Sequence, residues 1–76
     1  MSINFADRLK AIKLNIAYYR KKAGFSQEKF AEKLEISRKH LSCIEAPNMK
    51  TGVHLEILFA IADALEIDIA KLLEVR

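Results

Sequence analysis

The chain has 76 residues, of which 51% are hydrophobic and 30% charged, with two glycines and one proline. This fits one small globular domain spanning residues 1–76 and excludes a large multi-domain enzyme. The single thiol, Cys43, excludes an internal disulfide and a four-cysteine zinc site and favours a reducing cytoplasm. No apolar run approaches the roughly 18 residues that span a bilayer, and no signal peptide is visible, so no membrane partner is expected.

Charge is distributed unevenly along the chain. Residues 1–50 contain eleven Lys or Arg against five Asp or Glu, whereas residues 51–76 contain two against five. A basic half favours a polyanionic partner such as nucleic acid, and an acidic, apolar half favours a scaffold or a self-contact surface. The alternative is that the cations only solvate exposed helix faces.

Apolar residues recur at intervals of three and four, which predicts helices and no strand. The first helix is predicted from about residue 5 to 22, with Asn4 as its N-cap and Gly24 as a left-handed C-terminal cap. Its buried stripe is expected to comprise Phe5, Leu9, Ile12, Ile16 and Tyr19.

Two short helices follow. The second is predicted to begin after Ser26, and the third to span residues 38–46, with Ser37 as its cap and Pro47 ending it. The turn between them is too tight for antiparallel packing, so the helices should cross at roughly 90–120° and one should project outward. The expected buried residues are Phe25, Phe30, Ala31, Leu34, Leu41 and Ile44.

A fourth helix is predicted to start between Val53 and Leu55, and a fifth, short helix after Asp68. The buried residues expected in the fourth are Leu55, Leu58, Ile61, Ala62 and Leu65, and the fifth is expected to present Ile69, Leu72 and Leu73 to the core. The predicted fold class is all-α, with five helices.

The exposed face of the third helix is predicted to carry chemistry. Its expected members are Arg38, Lys39, Ser42 and Cys43, with His40 on the flank. Arg38 and Lys39 occupy the first turn, where each cation costs about 0.3–1 kcal/mol beside the positive end of the helix dipole. A phosphate or a guanine edge at that end would turn the penalty into attraction. A helix about 10–12 Å wide fits the major groove of B-DNA.

Three segments carry a resemblance to a known family: residues 24–34 (GFSQEKFAEKL), residues 36–38 (ISR) and residues 41–45 (LSCIE). They resemble the helix-turn-helix of the phage-repressor-like regulators, the XRE or Cro/CI family, and the similarity extends over about residues 12–73. The resemblance implies a lambda-repressor-like DNA-binding domain with its helix-turn-helix at the second and third helices.

The resemblance also implies which residues reach bases. Arg38, Lys39 and Cys43 match positions that contact base edges, with Ser42 beside them. Arg38 is the best candidate for guanine, because its guanidinium donates to O6 and N7 together. Lys39 would contact a guanine or a phosphate, and Cys43 would contact a thymine methyl or pack as a small apolar side chain.

Phosphate contacts are expected from Gln27, Ser37, His40 and Lys50. Gln27 matches a phosphate-binding position at the start of the second helix, and Ser37 either caps the third helix or also touches phosphate. Lys50, with Asn48 and Thr51, would contact the DNA backbone from the loop after the third helix. Arg20 and Glu45 match a structural salt bridge between the first helix and the end of the third.

Two departures from the family pattern affect the turns. Glu35 stands where the family usually has Gly in a left-handed conformation, which would strain the turn by about 1 kcal/mol or make it longer or differently shaped. Ala46-Pro47 replaces polar residues that usually follow Glu45, which removes one phosphate contact and leaves the path of the next loop open.

Other functions fit the residues less well. His40, Cys43 and His54 lack a fourth zinc ligand, and a catalytic Cys43 would need a positioned base, so no metal, cofactor or enzymatic activity is expected. The main alternative to DNA binding is a protein-interaction module, such as an antitoxin-like partner or an adaptor. Apolar residues expected outside the buried stripes would serve such a partner or a homodimer: Leu14, Tyr18, Ile57 and Phe59.

The expected function is sequence-specific binding of double-stranded DNA by a cytoplasmic, nucleoid-associated regulator of bacterial or phage type, acting as a repressor. A homodimer would place two reading helices about 34 Å apart, so the operator should be roughly palindromic.

Overall fold

The computed structural model describes residues 4–75, and all regular elements in this range are helices. They are α1 (Phe5–Lys22), α2 (Gln27–Leu34), α3 (Arg38–Glu45), α4 (Leu55–Leu65) and α5 (Ile69–Leu73). The prediction of five helices without a sheet is confirmed. The third helix ends one residue earlier than predicted, because Ala46 precedes a proline and takes an extended backbone. None of these helices is long and apolar enough to cross a membrane.

Three of the four connections between helices use one backbone motif. A left-handed residue ends the helix, an apolar residue follows, and the next residue caps the next helix: Gly24-Phe25-Ser26, Glu35-Ile36-Ser37 and Glu66-Ile67-Asp68. In each, the N–H of the apolar residue donates to the carbonyl five residues earlier, at 3.0–3.1 Å, which is the Schellman motif. Each of the three residues in such a turn has a structural role, so the turn fixes the angle between successive helices.

Glu35 keeps the left-handed conformation that the family usually gives to glycine, with φ 59° and ψ 39°. The expectation of a longer or differently shaped turn is therefore wrong. Ile36 packs partly against the core, and its N–H donates to the carbonyl of Ala31. Both interactions depend on the tight turn and offset the backbone strain at Glu35.

The core lies where the helices meet. Its buried residues are Ile16, Phe30, Ala31, Leu41, Ile44, Leu58, Ile61, Ala62 and Leu72. Phe25, which was predicted to be buried, is partly buried and packs against Phe30, with 5.2 Å between ring centroids. Burial was predicted wrongly at helix ends, since Phe5 is 77% exposed, Leu55 62% and Leu73 46%. Periodicity gives the direction of a side chain, but the terminal turns of these helices extend beyond the residues that cover the core.

Two of the three buried polar side chains of α1 hold the ends of other helices through backbone carbonyls. Lys13 is completely buried, and its Nζ donates to the carbonyl of Cys43 at 2.9 Å. Asn15 Nδ2 donates to the carbonyls of Leu72 (3.0 Å) and Glu74 (2.6 Å). Carbonyls in the last turn of a helix have no partner within it, so α1 satisfies those of α3 and α5. In residues 4–75, every buried side-chain nitrogen or oxygen has a hydrogen-bond partner.

Glu35→Gly should raise the free energy of unfolding by about 1 kcal/mol, because glycine adopts positive φ without strain and the Glu35 side chain is exposed. Thermal unfolding should show a midpoint about 4–8 °C higher.

Gly24→Ala is the matched control for this substitution. Gly24 has φ 87°, and an added Cβ would meet nothing within 4 Å, so backbone strain alone should destabilise the variant. A destabilised Gly24→Ala together with an unchanged or less stable Glu35→Gly would contradict the strain assigned to Glu35.

Lys13 should make stability rise with pH in the alkaline range. Burial lowers its pKa from the ordinary 10.5, while the charge that Cys43 can carry acts in the opposite direction. Below pH 10.5 there is thus a window in which the unfolded chain retains a proton that the folded chain has released, so raising the pH through it favours folding.

Urea denaturation of the wild type and of Lys13→Met across this window isolates the effect, because the other titrating groups are common to both proteins. The free energy of unfolding of the wild type minus that of the variant should increase with pH. A flat or falling difference would refute the assignment.

Candidate nucleic-acid interface

The helix-turn-helix of α2 and α3 leaves one face of α3 open. Leu41 and Ile44 attach α3 to the core, and Cys43, which was expected on the exposed face or packed as a small apolar side chain, is half-buried. Its carbonyl is held by Lys13, which brings this part of the helix against α1. The exposed residues of α3 are Arg38, Lys39, His40 and Ser42.

The N-terminal end of α3 is capped but still offers donors. Ser37 Oγ accepts from the N–H of His40 at 3.0 Å, so the capping role of Ser37 is observed. The N–H groups of Arg38 and Lys39 lie in the first turn, where a helix provides no backbone acceptor. These amides and the positive end of the helix dipole favour an anion at this position.

The opposite end of α3 is fixed by a buried ion pair. Arg20 donates through Nε to Glu45 Oε2 at 2.6 Å and through a terminal nitrogen to Oε1 at 3.0 Å. Its other terminal nitrogen donates to the carbonyl of Phe25 at 2.7 Å. Both side chains are more than nine-tenths buried, so either charge would be costly without the other. The ion pair implied by the family resemblance therefore links α1 to the last residue of α3. Through Phe25 it also holds the connection between α1 and α2.

Gln27 joins this arrangement from the first position of α2. Its Nε2 donates to Glu45 Oε1 at 3.0 Å, which orients the amide but uses only one of its two N–H groups. Gln27 also lines a cleft, which we call the N-terminal cleft, with Arg20, Ser26, Glu28 and Arg38. The structure thus brings one predicted phosphate-binding residue beside one predicted base-reading residue.

Lys50 lies elsewhere. It lines a second cleft, which we call the lysine cleft, formed by the start of α1 and the loop after α3: Ala6, Leu9, Lys10, Pro47, Asn48, Met49 and Lys50. The sequence did not predict the path of this loop. The loop begins with a turn in which the N–H of Met49 donates to the carbonyl of Ala46 at 3.1 Å. His40 is exposed but lines neither cleft.

Sequence reasoning missed Lys21 as a candidate contact. This exposed lysine in the last turn of α1 lines a groove with Gln27 and Ser42, two of the predicted DNA-binding residues. Its position just before the helix-turn-helix was the only signal, and on sequence alone that position indicates no more than a favourable charge at a helix end. The described residues contain no cluster of His, Cys, Asp or Glu able to hold a metal ion.

Apolar side chains are exposed on α1 and α4 as well. Leu14 is 49% exposed, Tyr18 44% and Phe59 50%. Ile57, which was expected on the surface, packs partly against the core, because its side of α4 borders the buried stripe. Three of the four apolar residues predicted to lie outside the core thus remain accessible to a partner.

Comparison with known proteins identifies this arrangement. A family model described as helix-turn-helix matches residues 16–72. Among solved structures, the chain is similar to the crystal structure of SinR, described as the master regulator for biofilm formation, in complex with DNA, with 32% identity and a TM-score of 0.74. That match covers 83% of this chain and 98% of the other. The comparison with curated protein sequences found no match. Because the family model spans most of the chain, the protein belongs to the helix-turn-helix family, in its XRE or Cro/CI type.

Proposed function

We propose that this protein is a transcription regulator that binds double-stranded DNA and reads bases in the major groove with α3. One observation carries the proposal: α3 is held to the core at its C-terminal end and exposes Arg38 and Lys39 at the other. Neither side chain forms an ion pair within residues 4–75. Two cations beside free helix amides are unfavourable alone and favourable against a polyanion.

The base contacts would come from Arg38, Lys39, Ser42 and Cys43, and their lengths suggest different roles. Arg38 suits a guanine, whereas the half-buried Cys43 reaches only a short apolar group such as a thymine methyl. The phosphate contacts would come from Gln27, Ser37, His40 and Lys50. The second N–H of Gln27 and the hydroxyl proton of Ser37 remain free for phosphate oxygens after their internal bonds are made.

The similarity to SinR supports this proposal. SinR is a master regulator whose structure was solved in complex with DNA, and the shared fold includes the helix-turn-helix. We further propose that residues 1–76 form a single DNA-binding domain and that the protein represses transcription by occupying its operator. It would act in the cytoplasm, at the nucleoid. A homodimer would bind a roughly palindromic operator, because two-fold symmetry presents two copies of α3 to related half-sites.

Arg38→Ala should weaken binding to the preferred sequence by about 5- to 150-fold, corresponding to about 1–3 kcal/mol, and should relax the base choice at one position of each half-site. Gln27→Ala should instead weaken specific and random duplexes alike. Fluorescence-anisotropy titrations on both duplexes measure the two effects.

Thermal unfolding of each variant is the required control, because Gln27 also donates to Glu45. Equal losses on both duplexes for both folded variants would refute the division between base and phosphate contacts.

Selection from a pool of randomised duplexes should enrich a roughly palindromic motif with half-sites centred about 34 Å apart. Sedimentation equilibrium should show a dimer at the protein concentration used. Enrichment of a single, asymmetric half-site by a monomer would contradict the dimer.

A protein-interaction module is the second candidate, and the exposed Leu14, Tyr18 and Phe59 favour it. The same selection, run at two salt concentrations, separates the candidates. An interaction module would enrich no motif, and Arg38→Ala would cause no loss of DNA binding.

A further inference from the structure

We propose that the lysine cleft is a second binding site for the DNA backbone, in which Lys10 of α1 acts together with Lys50. This rests on the proposed function and extends the interface beyond the helix-turn-helix to the start of the chain's first helix. The ligand is a phosphodiester segment of duplex DNA that passes the C-terminal end of α3.

The composition of the cleft matches that ligand. Two lysines and the amide of Asn48 line it, and none of its described lining residues is a carboxylate, whereas the N-terminal cleft includes Glu28. Neither Lys10 nor Lys50 has an ion-pair partner among the described residues. Lysine binds phosphate as a point charge and carries little base information, so this site would strengthen binding without setting the sequence.

The remaining lining residues are apolar: Ala6, Leu9, Pro47 and Met49. A deoxyribose presents carbon–hydrogen surface between successive phosphates, which packs on such a floor while the lysines contact the phosphate oxygens. Because Ala46-Pro47 replaces polar residues of the family pattern, one expected phosphate contact is missing. The turn after it brings Lys50 beside Lys10, which supplies another.

Arg38 and the lysine cleft lie at opposite ends of α3. Arg38, the first residue of the helix, lines the N-terminal cleft, and Pro47, just beyond its last residue, lines the lysine cleft. A helix of eight residues is about 12 Å long, so Arg38 and the lysine cleft are separated by about this distance along α3. With α3 seated in the groove, we place the lysine cleft against the DNA backbone that passes the C-terminal end of the helix.

Lys10 is held in a fixed position relative to α3. Lys13, one turn further along α1, donates to the carbonyl of Cys43, and Arg20 pairs with Glu45. These buried contacts attach α1 to the C-terminal half of the reading helix. The backbone of Lys10 is thus fixed relative to α3, and its side chain is exposed and forms no hydrogen bond or ion pair with another described residue.

The test is the salt dependence of binding to a fluorescently labelled duplex of mixed sequence, measured by anisotropy. The variants are Lys10→Ala, Lys50→Ala and the double substitution. Removing one phosphate contact should reduce the slope of log affinity against log salt by about 0.9 and lower the affinity at roughly 100 mM salt by about 8-fold. The double variant should show about twice that reduction in slope, and Lys10→Arg should retain the wild-type slope.

Lys71→Ala is the matched control, because it removes the same charge from an exposed position on α5. It should keep the wild-type slope. If Lys10→Ala behaves like Lys71→Ala while Arg38→Ala still loses base choice, the lysine cleft is not a DNA site and the proposed function stands. If the wild type shows no salt-dependent binding to duplex DNA, the proposed function fails first. A weaker affinity with an unchanged slope would also overturn the phosphate assignment.

Discussion

The position of α3 depends on positive charge buried at its C-terminal end. Arg20 forms a bidentate pair with Glu45, and the ammonium of Lys13 meets the carbonyl of Cys43. The dipole of α3 makes this end negative, so cations are stabilising here and destabilising at the start of the helix. The chain has cations at both ends, satisfied internally at one and exposed at the other. This asymmetry is what leaves α3 suited to bind an external anion at its first turn.

The sequence predicted the helices well because their signals are local. Caps at Asn4, Ser26, Ser37 and Asp68 lie within three residues of the amides they accept from, so they can be recognised without knowing the fold. Lys13 and Asn15 could not be recognised in this way, because their acceptors are backbone carbonyls 30 and 57 residues further along the chain. Lys13 lies three residues before the buried Ile16, which shows in retrospect that it shares the buried face.

The candidate site was predictable to a similar extent. The exposed positions of α3 follow from its period and from the two residues that bury its other face, Leu41 and Ile44. The family resemblance supplied Gln27, Arg20 and Glu45, and the structure joins these three in one hydrogen-bonded cluster. The lysine cleft was not predictable, because it forms only when the start of α1 meets the loop after α3. Surfaces made by two distant segments leave no pattern in either one.

The shared turn motif has a consequence for how such a domain can acquire new targets. The conformation around Glu35-Ile36-Ser37 and the anchor at Glu45 are set by backbone and buried groups, while Arg38, Lys39 and Ser42 contribute nothing to core packing. Substituting these exposed side chains would leave the orientation of α3 unchanged. Divergence in recognition and maintenance of the scaffold are therefore nearly independent problems for this chain.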